Sequence, residues 1–291
     1  MSREPQSHPS LPTVRELLAR RGLSPKKGLS QSFLVDPGVP ARIATAARLS
    51  PDDVVVEVGA GLGSLTTHLL GRAHRIIAIE RDSRLAAVLR EELGARDDLV
   101  VVEGDALEFD WAAAARAAGR PLVVAGNLPY VVTSPVIFAT LAAADGGRVV
   151  ARALFMVQKE FAQRMLAPPG SRTYGRLSVM VQQIAEAEVL FHVGAGAFLP
   201  RPAVTSTVVR LCPRAQPLGA VRDPSLFDRV VREAFGTRRK MLRRALAPAF
   251  GAEPASSALA AAGIAGTRRA EELSVAEFAR LANALADARA S

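Results

Sequence analysis

The residues best suited to chemistry follow an apolar run, in the segment Gly126-Asn127-Leu128-Pro129-Tyr130. The side-chain oxygen of Asn127 and the carbonyl oxygen of Leu128 are two acceptors that can hold the exocyclic amine of adenine, whose lone pair is otherwise delocalised into the ring. Pro129 has a fixed φ and favours extended geometry in the residue before it, which would direct that carbonyl outward. Tyr130 would then stack on the base. Alone, the segment is equally typical of a tight turn with a packed Tyr, so its meaning depends on its neighbours.

Short apolar runs alternate with helical segments on both sides of this segment. The run before it lacks an apolar-polar alternation, which is typical of a parallel strand covered on both faces. Three earlier runs share this character and end in acidic or glycine-rich loops, as in a doubly wound α/β sheet that binds its ligand at the carboxyl edge. The predicted parallel strands are 54–58, 75–79, 99–102, 121–125 and 153–157, and an antiparallel pair, 189–193 and 206–211, is predicted to close the sheet.

Glycines and acids at three strand ends describe a nucleoside site. Gly59-Ala-Gly61-Leu-Gly63 follows the first strand, although this pattern alone is common at strand-to-helix turns. Glu80 ends the second strand 21 positions after Gly59, where an acid accepts ribose hydroxyls. Asp105 ends the third strand and can accept from an adenine amine, with Ala106 beside the ring. NAD sites have G-x-G-x-x-G, and position 64 is Ser, so the ordered set favours S-adenosylmethionine facing an amine acceptor.

Several further segments match the motifs of one enzyme family. With them, the stretch from residue 20 to about 285 resembles the small-subunit ribosomal RNA adenine dimethyltransferases, which make N6,N6-dimethyladenosine. The resemblance implies a Rossmann-like class I methyltransferase sheet followed by a small all-α domain. The matching segments are Gln31-Ser-Phe33-Leu34, Glu57-Val-Gly59-Ala-Gly61-Leu-Gly63-Ser-Leu65-Thr66, Glu80, Gly104-Asp105-Ala106, Asn127-Leu-Pro-Tyr130, Gln158-Lys-Glu160, Tyr174-Gly-Arg-Leu-Ser178-Val, Phe198-Leu-Pro-Arg-Pro202-Ala-Val204-Thr-Ser206 and Ala234-Phe-Gly-Thr-Arg238-Arg-Lys240.

The resemblance also implies which residues bind the cofactor and the base. Among the implied catalytic residues, Phe198 and Tyr130 are expected to stack on opposite faces of the adenine. Ser30 and Ser32 replace a Gly and an Asn of the family's usual pattern, and because a serine reaches less far than an Asn, the contact at position 32 is expected to differ. The implied cofactor-binding residues are Ser32, Leu34, Gly59, Gly61, Glu80, Asp105, Ala106 and Asn127.

The chemistry of a methyl sulfonium requires little from the protein beyond orientation. The methyl group is already activated, so neither a metal ion nor a covalent enzyme intermediate is needed. Holding the amine in line with the methyl group supplies up to roughly 7–11 kcal/mol for ideal alignment. The amine proton becomes acidic as the new bond forms, so water can accept it and no general base is assigned. Four histidines and the single Cys212 show no ligand spacing for a metal.

The charge distribution points to a polyanionic partner. The net charge is +9, and no apolar run approaches the roughly 20 residues that span a bilayer. In the segment 237–247, Met241, Leu242, Ala245 and Leu246 form an apolar side. The opposite side carries five cations without an acid, which favours a phosphate-binding face over a merely solvated one. These cations are Arg238, Arg239, Lys240, Arg243 and Arg244.

Domain limits follow from changes in pattern. Residues 1–12 are predicted to be a disordered tail, 13–212 the methyltransferase domain and 213–291 a helical RNA-binding domain, with a linker at 213–217. The polar start of the chain has no apolar segment of a secretory signal, and one cysteine fits a reducing compartment. We therefore expect a soluble, cytoplasmic protein without membrane or metal, and the resemblance implies a monomer acting on small-subunit rRNA.

Three alternative functions remain open from the sequence. The first is a large-subunit rRNA adenine methyltransferase of the macrolide-resistance type, which shares the core motifs. The second is a ribosome-assembly or other RNA-binding factor with incidental methylation, for which the two serines leave room. The third is an NAD-dependent oxidoreductase, disfavoured by the glycine spacing and by the lack of a hydride-transfer acid/base pair.

Overall fold

The computed structural model describes residues 12–25, 31–237 and 240–290. Within them the chain forms two compact units. The first comprises the described residues up to Lys159 together with Glu188–Pro213, and the second comprises Glu160–Ala187 together with the described residues from Arg214 onward. The predicted tail up to residue 11, Ser30, Arg238 and Arg239 lie outside the described residues.

The described elements alternate between strands and helices as far as the last strand and are helical thereafter. The strands are β1 (Phe33–Leu34), β2 (Val54–Val58), β3 (Arg75–Glu80), β4 (Leu99–Glu103), β5 (Leu122–Asn127), β6 (Val150–Gln158), β7 (Ala185–Val193), β8 (Phe198–Leu199) and β9 (Ser206–Pro213). The helices are α1 (Val14–Arg20), α2 (Gly38–Ala46), α3 (Thr66–Leu69), α4 (Ser83–Leu93), α5 (Trp111–Ala118), α6 (Thr133–Ala143), α7 (Lys159–Leu166), α8 (Arg176–Ile184), α9 (Pro224–Gly236), α10 (Leu242–Phe250), α11 (Ala252–Ala261) and α12 (Val275–Ala290).

A seven-stranded sheet in the order β4-β3-β2-β5-β6-β9-β7 organises the first unit. The pairs from β4 to β6 are parallel, and β9 runs antiparallel to β6. Every residue of β2 is buried, which explains its uninterrupted Val-Val-Val-Glu-Val pattern, because helices cover both faces of a parallel strand. The predicted doubly wound, mostly parallel sheet with an antiparallel closing strand and a helical C-terminal region is confirmed.

The strand order reverses beside β2, between β3 on one side and β5 on the other. Val58, the last residue of β2, lies opposite Gly126 in β5. The approach is so close that a Cβ at position 126 would lie 2.6 Å from the carbonyl oxygen of Val58. Glycine is therefore required for the strands to pair at this point, one residue before Asn127. In such sheets the ligand binds at the reversal of strand order, outside the carboxyl ends of the strands.

A two-stranded sheet lies beside this edge in the first unit. β1 pairs antiparallel with β8, with Phe33 opposite Leu199 and Leu34 opposite Phe198. The amide of Val35 extends the pairing by donating to the carbonyl of Ala197 at 2.8 Å. Leu34 and Phe198 are 164 positions apart in sequence, so two distant segments hold each other, and they bring Ser32 and Leu34 to the main sheet's ligand edge.

The second unit is built on a helical core. The predicted inward face of α9, made of Phe227, Val230, Val231 and Ala234, is buried as expected. The inward residues of α12, which include Phe278 and Leu281, are buried as well. This core also takes in side chains that precede β7 along the chain, among them Ala167, Tyr174 and Val179.

The division of the chain differs in one respect from the predicted domain limits. The prediction placed the boundary between the two folded domains between residues 212 and 213. In the structure the chain enters the second unit for the last time after Pro213. Residues 160–187, which the prediction assigned to the first domain, belong to the second unit, because α8 and the loop before it pack into its helical core. Among the described residues no helix has the length and apolar character to cross a membrane.

Candidate active site

A cavity of about 230 Å³ opens at the carboxyl edge of the main sheet, within the first unit. All eight residues predicted to bind the cofactor line it, together with Pro129 from the predicted catalytic set. Residues as far apart in sequence as Ser32 and Asn127 therefore meet at one place, as expected of residues that follow neighbouring parallel strands. The lining residues are Gln31, Ser32, Phe33, Leu34, Glu57, Val58, Gly59, Ala60, Gly61, Leu62, Ser64, Leu65, Ile79, Glu80, Arg81, Leu85, Gly104, Asp105, Ala106, Asn127, Pro129, Val131, Val132 and Val136.

The glycine loop after β2 forms one wall of the cavity. Gly59 and Gly61 have φ values of 73° and 59°, in the left-handed region that favours glycine. A Cβ at position 61 would also lie 3.6 Å from the ring of Phe33. The Gly59 amide donates to the carbonyl of Ile79 at 2.9 Å, which ties the loop to β3. The loop is thereby held in a shape that exposes backbone to a ligand.

Glu80 is a buried carboxylate at the end of β3. Its Oε2 accepts from the Gly61 amide at 2.8 Å, and its Oε1 accepts from the Asp82 amide at 2.8 Å. Burial raises the pKa of Glu80, while these two amide donors act in the opposite direction. Each carboxylate oxygen can accept more than one hydrogen bond, so the group fits a ligand with two neighbouring hydroxyls.

Asp105 follows the end of β4 by two residues and makes two local contacts. Its Oδ1 accepts from the amide of Leu107 at 3.0 Å, and its Oδ2 lies 3.4 Å from Nη1 of Arg81. Arg81 is exposed and follows Glu80 directly, and it also lines the cavity. The sequence analysis named Asp105 but missed Arg81, since nothing in its local sequence distinguishes it from a solvated surface Arg.

Asn127 is the last residue of β5, and its side-chain amide is oriented by a backbone contact. Nδ2 donates to the carbonyl oxygen of Ser32 at 3.3 Å. Because that carbonyl is only an acceptor, the nitrogen must be the atom that faces it. Oδ1 accepts no hydrogen bond from the described residues and is available to a ligand donor. This is the atom that the sequence analysis expected to hold an amine.

The residues after Asn127 form a fixed turn. The Leu128 amide donates to the carbonyl of Met156 in β6 at 3.3 Å, and the Leu128 side chain is buried. The carbonyl of Pro129 accepts from the Val132 amide at 3.0 Å and from the Thr133 hydroxyl at 3.2 Å. The turn therefore leads directly into α6, with little freedom in between.

The two predicted stacking aromatics do not line the cavity. The Tyr130 hydroxyl lies 3.3 Å from the buried Ser206 hydroxyl at the start of β9. Phe198 is 4% exposed and packs in the core of the first unit, opposite Leu34 in the small sheet. A buried Phe at a strand connection is a common packing residue. The stacking of Tyr130 and Phe198 on the two faces of a base therefore stays a prediction.

Ser32 makes one contact through its side chain and one through its backbone. Its hydroxyl donates to the carbonyl of Pro200 at 2.8 Å, and its own carbonyl receives Nδ2 of Asn127. The serine thus joins the segment after β8 to Asn127. The sequence analysis expected an altered cofactor contact here, and the structure adds that the hydroxyl is engaged by the protein itself.

Glu57 is a second buried carboxyl group of the cavity, which the sequence analysis quoted as a motif residue but gave no role. It lies in β2, and its Oε2 accepts from the hydroxyl of Thr66 at 2.6 Å. Burial, with a further contribution from the charge of Glu80, raises its pKa to about 8. The signal that was available is an acid within an otherwise apolar buried strand. In the described residues no cluster of His, Cys, Asp or Glu is arranged to hold a metal ion.

Three of the five predicted phosphate-binding cations are described, and all are exposed. Arg243 and Arg244 lie in the first turn of α10, which begins at Leu242. Lys240 lies in the turn before the helix, where its amide donates to the carbonyl of Thr237 at 2.9 Å. Within 12–25, 31–237 and 240–290, none of the three forms an ion pair with an acid, which keeps all three charges available.

Comparisons with known proteins agree with this geometry. A family model described as ribosomal RNA adenine dimethylase matches residues 22–287. The ribosomal RNA small subunit methyltransferase A of Anaeromyxobacter dehalogenans (strain 2CP-C) is 46% identical over 285 residues, which cover 94% of this chain and 98% of the relative. The solved 23S rRNA methyltransferase ErmE is 30% identical with a TM-score of 0.64, covering 87% of this chain and 99% of that one. A dimethyladenosine transferase from Plasmodium falciparum has a TM-score of 0.69 at 26% identity, covering 86% of this chain and 95% of that one.

The raised pKa of Glu57 predicts a pH-dependent stability. The folded protein keeps this proton up to about pH 8, whereas the unfolded chain releases it near 4.5. Between these values the folded state binds more protons than the unfolded state, so the contribution of Glu57 to stability falls as pH rises. We therefore expect Glu57→Gln to raise the free energy of unfolding, relative to wild type, more at pH 8 than at pH 5. Urea unfolding at both pH values measures this.

The exposed Glu108→Gln variant is the matched control and should show no such difference. Glu80 is present in all three proteins, and its charge is one of the causes of the raised pKa of Glu57. An equal effect of Glu57→Gln at pH 5 and pH 8 would contradict the assignment of a protonated Glu57.

Proposed function

The chain belongs to the ribosomal RNA adenine dimethylase family, and from this premise we propose that it transfers two methyl groups from S-adenosylmethionine to each N6 amine of two adjacent adenines in the 3′-terminal hairpin of small-subunit rRNA. The observation that carries the proposal is the meeting of Glu80, Asp105 and Asn127 around one cavity. Each comes from the end of a different parallel strand, and each has the chemistry for a different part of the cofactor or base.

The donors and acceptors of the cavity fit S-adenosylmethionine, the cofactor of this family. Glu80 would accept the two ribose hydroxyls, because its carboxylate is fixed by backbone amides and has lone pairs to spare. Asp105 would accept the amine of the cofactor's adenine at Oδ2, the oxygen that lies next to Arg81. The glycine loop admits the ligand close to the backbone. When bound, the cofactor supplies an activated methyl group on a sulfonium.

The residues after β5 orient the target amine. Oδ1 of Asn127 and the carbonyl of Leu128 would accept hydrogen bonds from its two N–H groups, which localises the lone pair and would aim it at the methyl carbon. Attack forms the nitrogen–carbon bond and breaks the sulfur–carbon bond, and the released proton passes to water. Tyr130 and Phe198 would hold the two faces of the adenine, which must leave its stack to enter. For Phe198 this requires a movement out of the core where it now packs.

The second unit is proposed to bind the RNA. Lys240, Arg243 and Arg244 present charge without ion pairs among the described residues, and Arg238 and Arg239 would extend the group. Phosphate contacts of this kind carry most of the affinity of a protein for RNA without reading its sequence. We propose the small-subunit precursor as the partner, a cytoplasmic location that follows from this substrate, and a monomeric enzyme.

The choice of the small subunit over the large rests on the degree of similarity. The relative that acts on the small subunit is 46% identical, whereas the large-subunit methyltransferase is 30% identical. The proposed chemistry of the cavity is that of an adenine methyltransferase in either case, so the cavity does not separate the two proposals. A ribosome-assembly factor with incidental methylation is the second candidate, and Ser32, bound to Pro200 rather than free for a ligand, is the observation in its favour.

Substitution of Asn127 tests the reaction and the orienting residue together. Asn127→Ala should lower the rate of methyl transfer to unmethylated small subunits by about 100-fold, since the amine is no longer aimed. Binding to the subunits should persist. The measurement is transfer of labelled methyl from S-adenosylmethionine, followed by nucleoside analysis for dimethyladenosine.

Two results would count against the proposal. Near-normal dimethyladenosine formation by Asn127→Ala would remove Asn127 from the mechanism. Good binding of wild type to small subunits without any label would favour the assembly-factor function, and label in large subunits instead would favour the macrolide-resistance type.

Salt dependence tests the proposed RNA-binding face. Loss of a phosphate contact lowers the slope of log affinity against log salt by about 0.7–0.9. Arg243→Ala with Arg244→Ala should therefore weaken subunit binding and lower this slope by about 1–2, while leaving S-adenosylmethionine affinity unchanged. Arg116→Ala, an exposed Arg of the first unit, is the control. An unchanged slope in the double variant would place the RNA elsewhere.

A further inference from the structure

Val131 is an exposed apolar side chain at the mouth of the cavity. It is 72% exposed, and the next most exposed large hydrophobic side chain among the described residues, Leu107, is 44% exposed. Val131 follows Tyr130 and lines the cavity with Asn127 and Pro129. Isolated surface hydrophobic residues are common and need no explanation. This one differs because it stands where a substrate base must pass.

The backbone around Val131 is fixed from both sides. The Pro129 carbonyl, two residues before it, accepts from the amide of Val132 at 3.0 Å and from the hydroxyl of Thr133 at 3.2 Å. Tyr130, directly before it, contacts Ser206 through its hydroxyl at 3.3 Å. A β-branched side chain on such a turn has few rotamers. Val131 is therefore presented to solvent in a defined position rather than as a mobile loop tip.

The segment that Tyr130 contacts carries charge suited to a polyanion. The carbonyl of Thr205, beside Ser206, accepts from the amide of Lys159 at 2.9 Å, so the first residue of α7 is hydrogen-bonded to the same segment. Lys159 and Arg201 are exposed, and neither pairs with an acid in the part of the chain that the structure describes. A rigid apolar residue with cations on neighbouring segments is complementary to a nucleic acid, whose stacked bases are apolar and whose backbone is charged.

We propose that Val131 inserts into the RNA base stack at the place that the target adenine leaves. This inference rests on the proposed function and deepens it. A base that is extruded for chemistry leaves its neighbours unstacked on one face, and proteins that deform nucleic acids fill such gaps with apolar side chains. Val131 stabilises the RNA with the adenine in the cavity, while Lys159 and Arg201 contact the phosphates beside the gap. It is a positioning residue, since it acts on the target base through its neighbours.

The test uses small subunits reconstituted with rRNA whose 3′ segment is synthetic. Single-turnover methyl transfer is measured with enzyme in excess for wild type, Val131→Ala, Val131→Ile and the control Val100→Ala, another exposed Val of the first unit. We expect Val131→Ala to be about 10-fold slower, and Val131→Ile and Val100→Ala to be within about 2-fold of wild type. Replacing the nucleotide next to the target by an abasic residue should restore Val131→Ala to within about 2-fold, because no stacking then opposes extrusion.

Three outcomes would overturn the insertion. These are an unchanged rate in Val131→Ala, an equal loss on the intact and abasic substrates, or a loss of S-adenosylmethionine affinity that accounts for the slower rate. A separate readout does not depend on methyl transfer. With 2-aminopurine at the target position, wild type should raise the fluorescence on binding and Val131→Ala should not. If wild type fails to methylate but still raises the signal, the proposed function fails and the insertion stands; no rise with bound wild type overturns the insertion.

Discussion

The close approach of β5 to β2 at Gly126 is the contact on which the candidate site depends. With no side chain at position 126, the two strands pair until their last residues, and the reversal of strand order falls between them. Asn127, the last residue of β5, therefore lies one residue beyond this pairing, beside the glycine loop that follows Val58. Any side chain at 126 would meet the carbonyl of Val58, so the position of the Asn127 amide is set by backbone packing.

The electrostatics of the cavity depend on acidic residues at the same carboxyl edge of the sheet. Two carboxyl groups, Glu57 and Glu80, are buried at neighbouring strands, and burial raises the pKa of both. The backbone amides of Gly61 and Asp82 hold Glu80 in place, and the hydroxyl of Thr66 satisfies Glu57. A site of this kind favours a ligand that brings hydroxyl donors and a positive charge, because such a ligand supplies what the buried acids lack. S-adenosylmethionine has both.

Much of the site was predictable because parallel strands place their ends together. Glu80, Asp105 and Asn127 needed only strand boundaries and the rule that ligands bind at the carboxyl edge. The environment of Phe198 was not predictable, since its burial against the first unit's core depends on pairing with Leu34, 164 positions earlier. Residues 160–187 group with the second unit for a related reason: their packing partners lie beyond Arg214, and no local pattern records that. The position of Lys240 in the turn before α10, which begins at Leu242, was not predictable, because basic residues alone do not mark a helix start.

The most direct test of this account is the rate of methyl transfer by Gly126→Ala, measured in a single turnover beside Gly194→Ala. A Cβ at position 194 would meet nothing within 4 Å, so that variant controls for the substitution itself. The account predicts that folded Gly126→Ala is at least about 10-fold slower, because the new Cβ forces β5 away from Val58 and moves Asn127 from the cavity. A folded Gly126→Ala protein that transfers methyl groups at the rate of Gly194→Ala would contradict it.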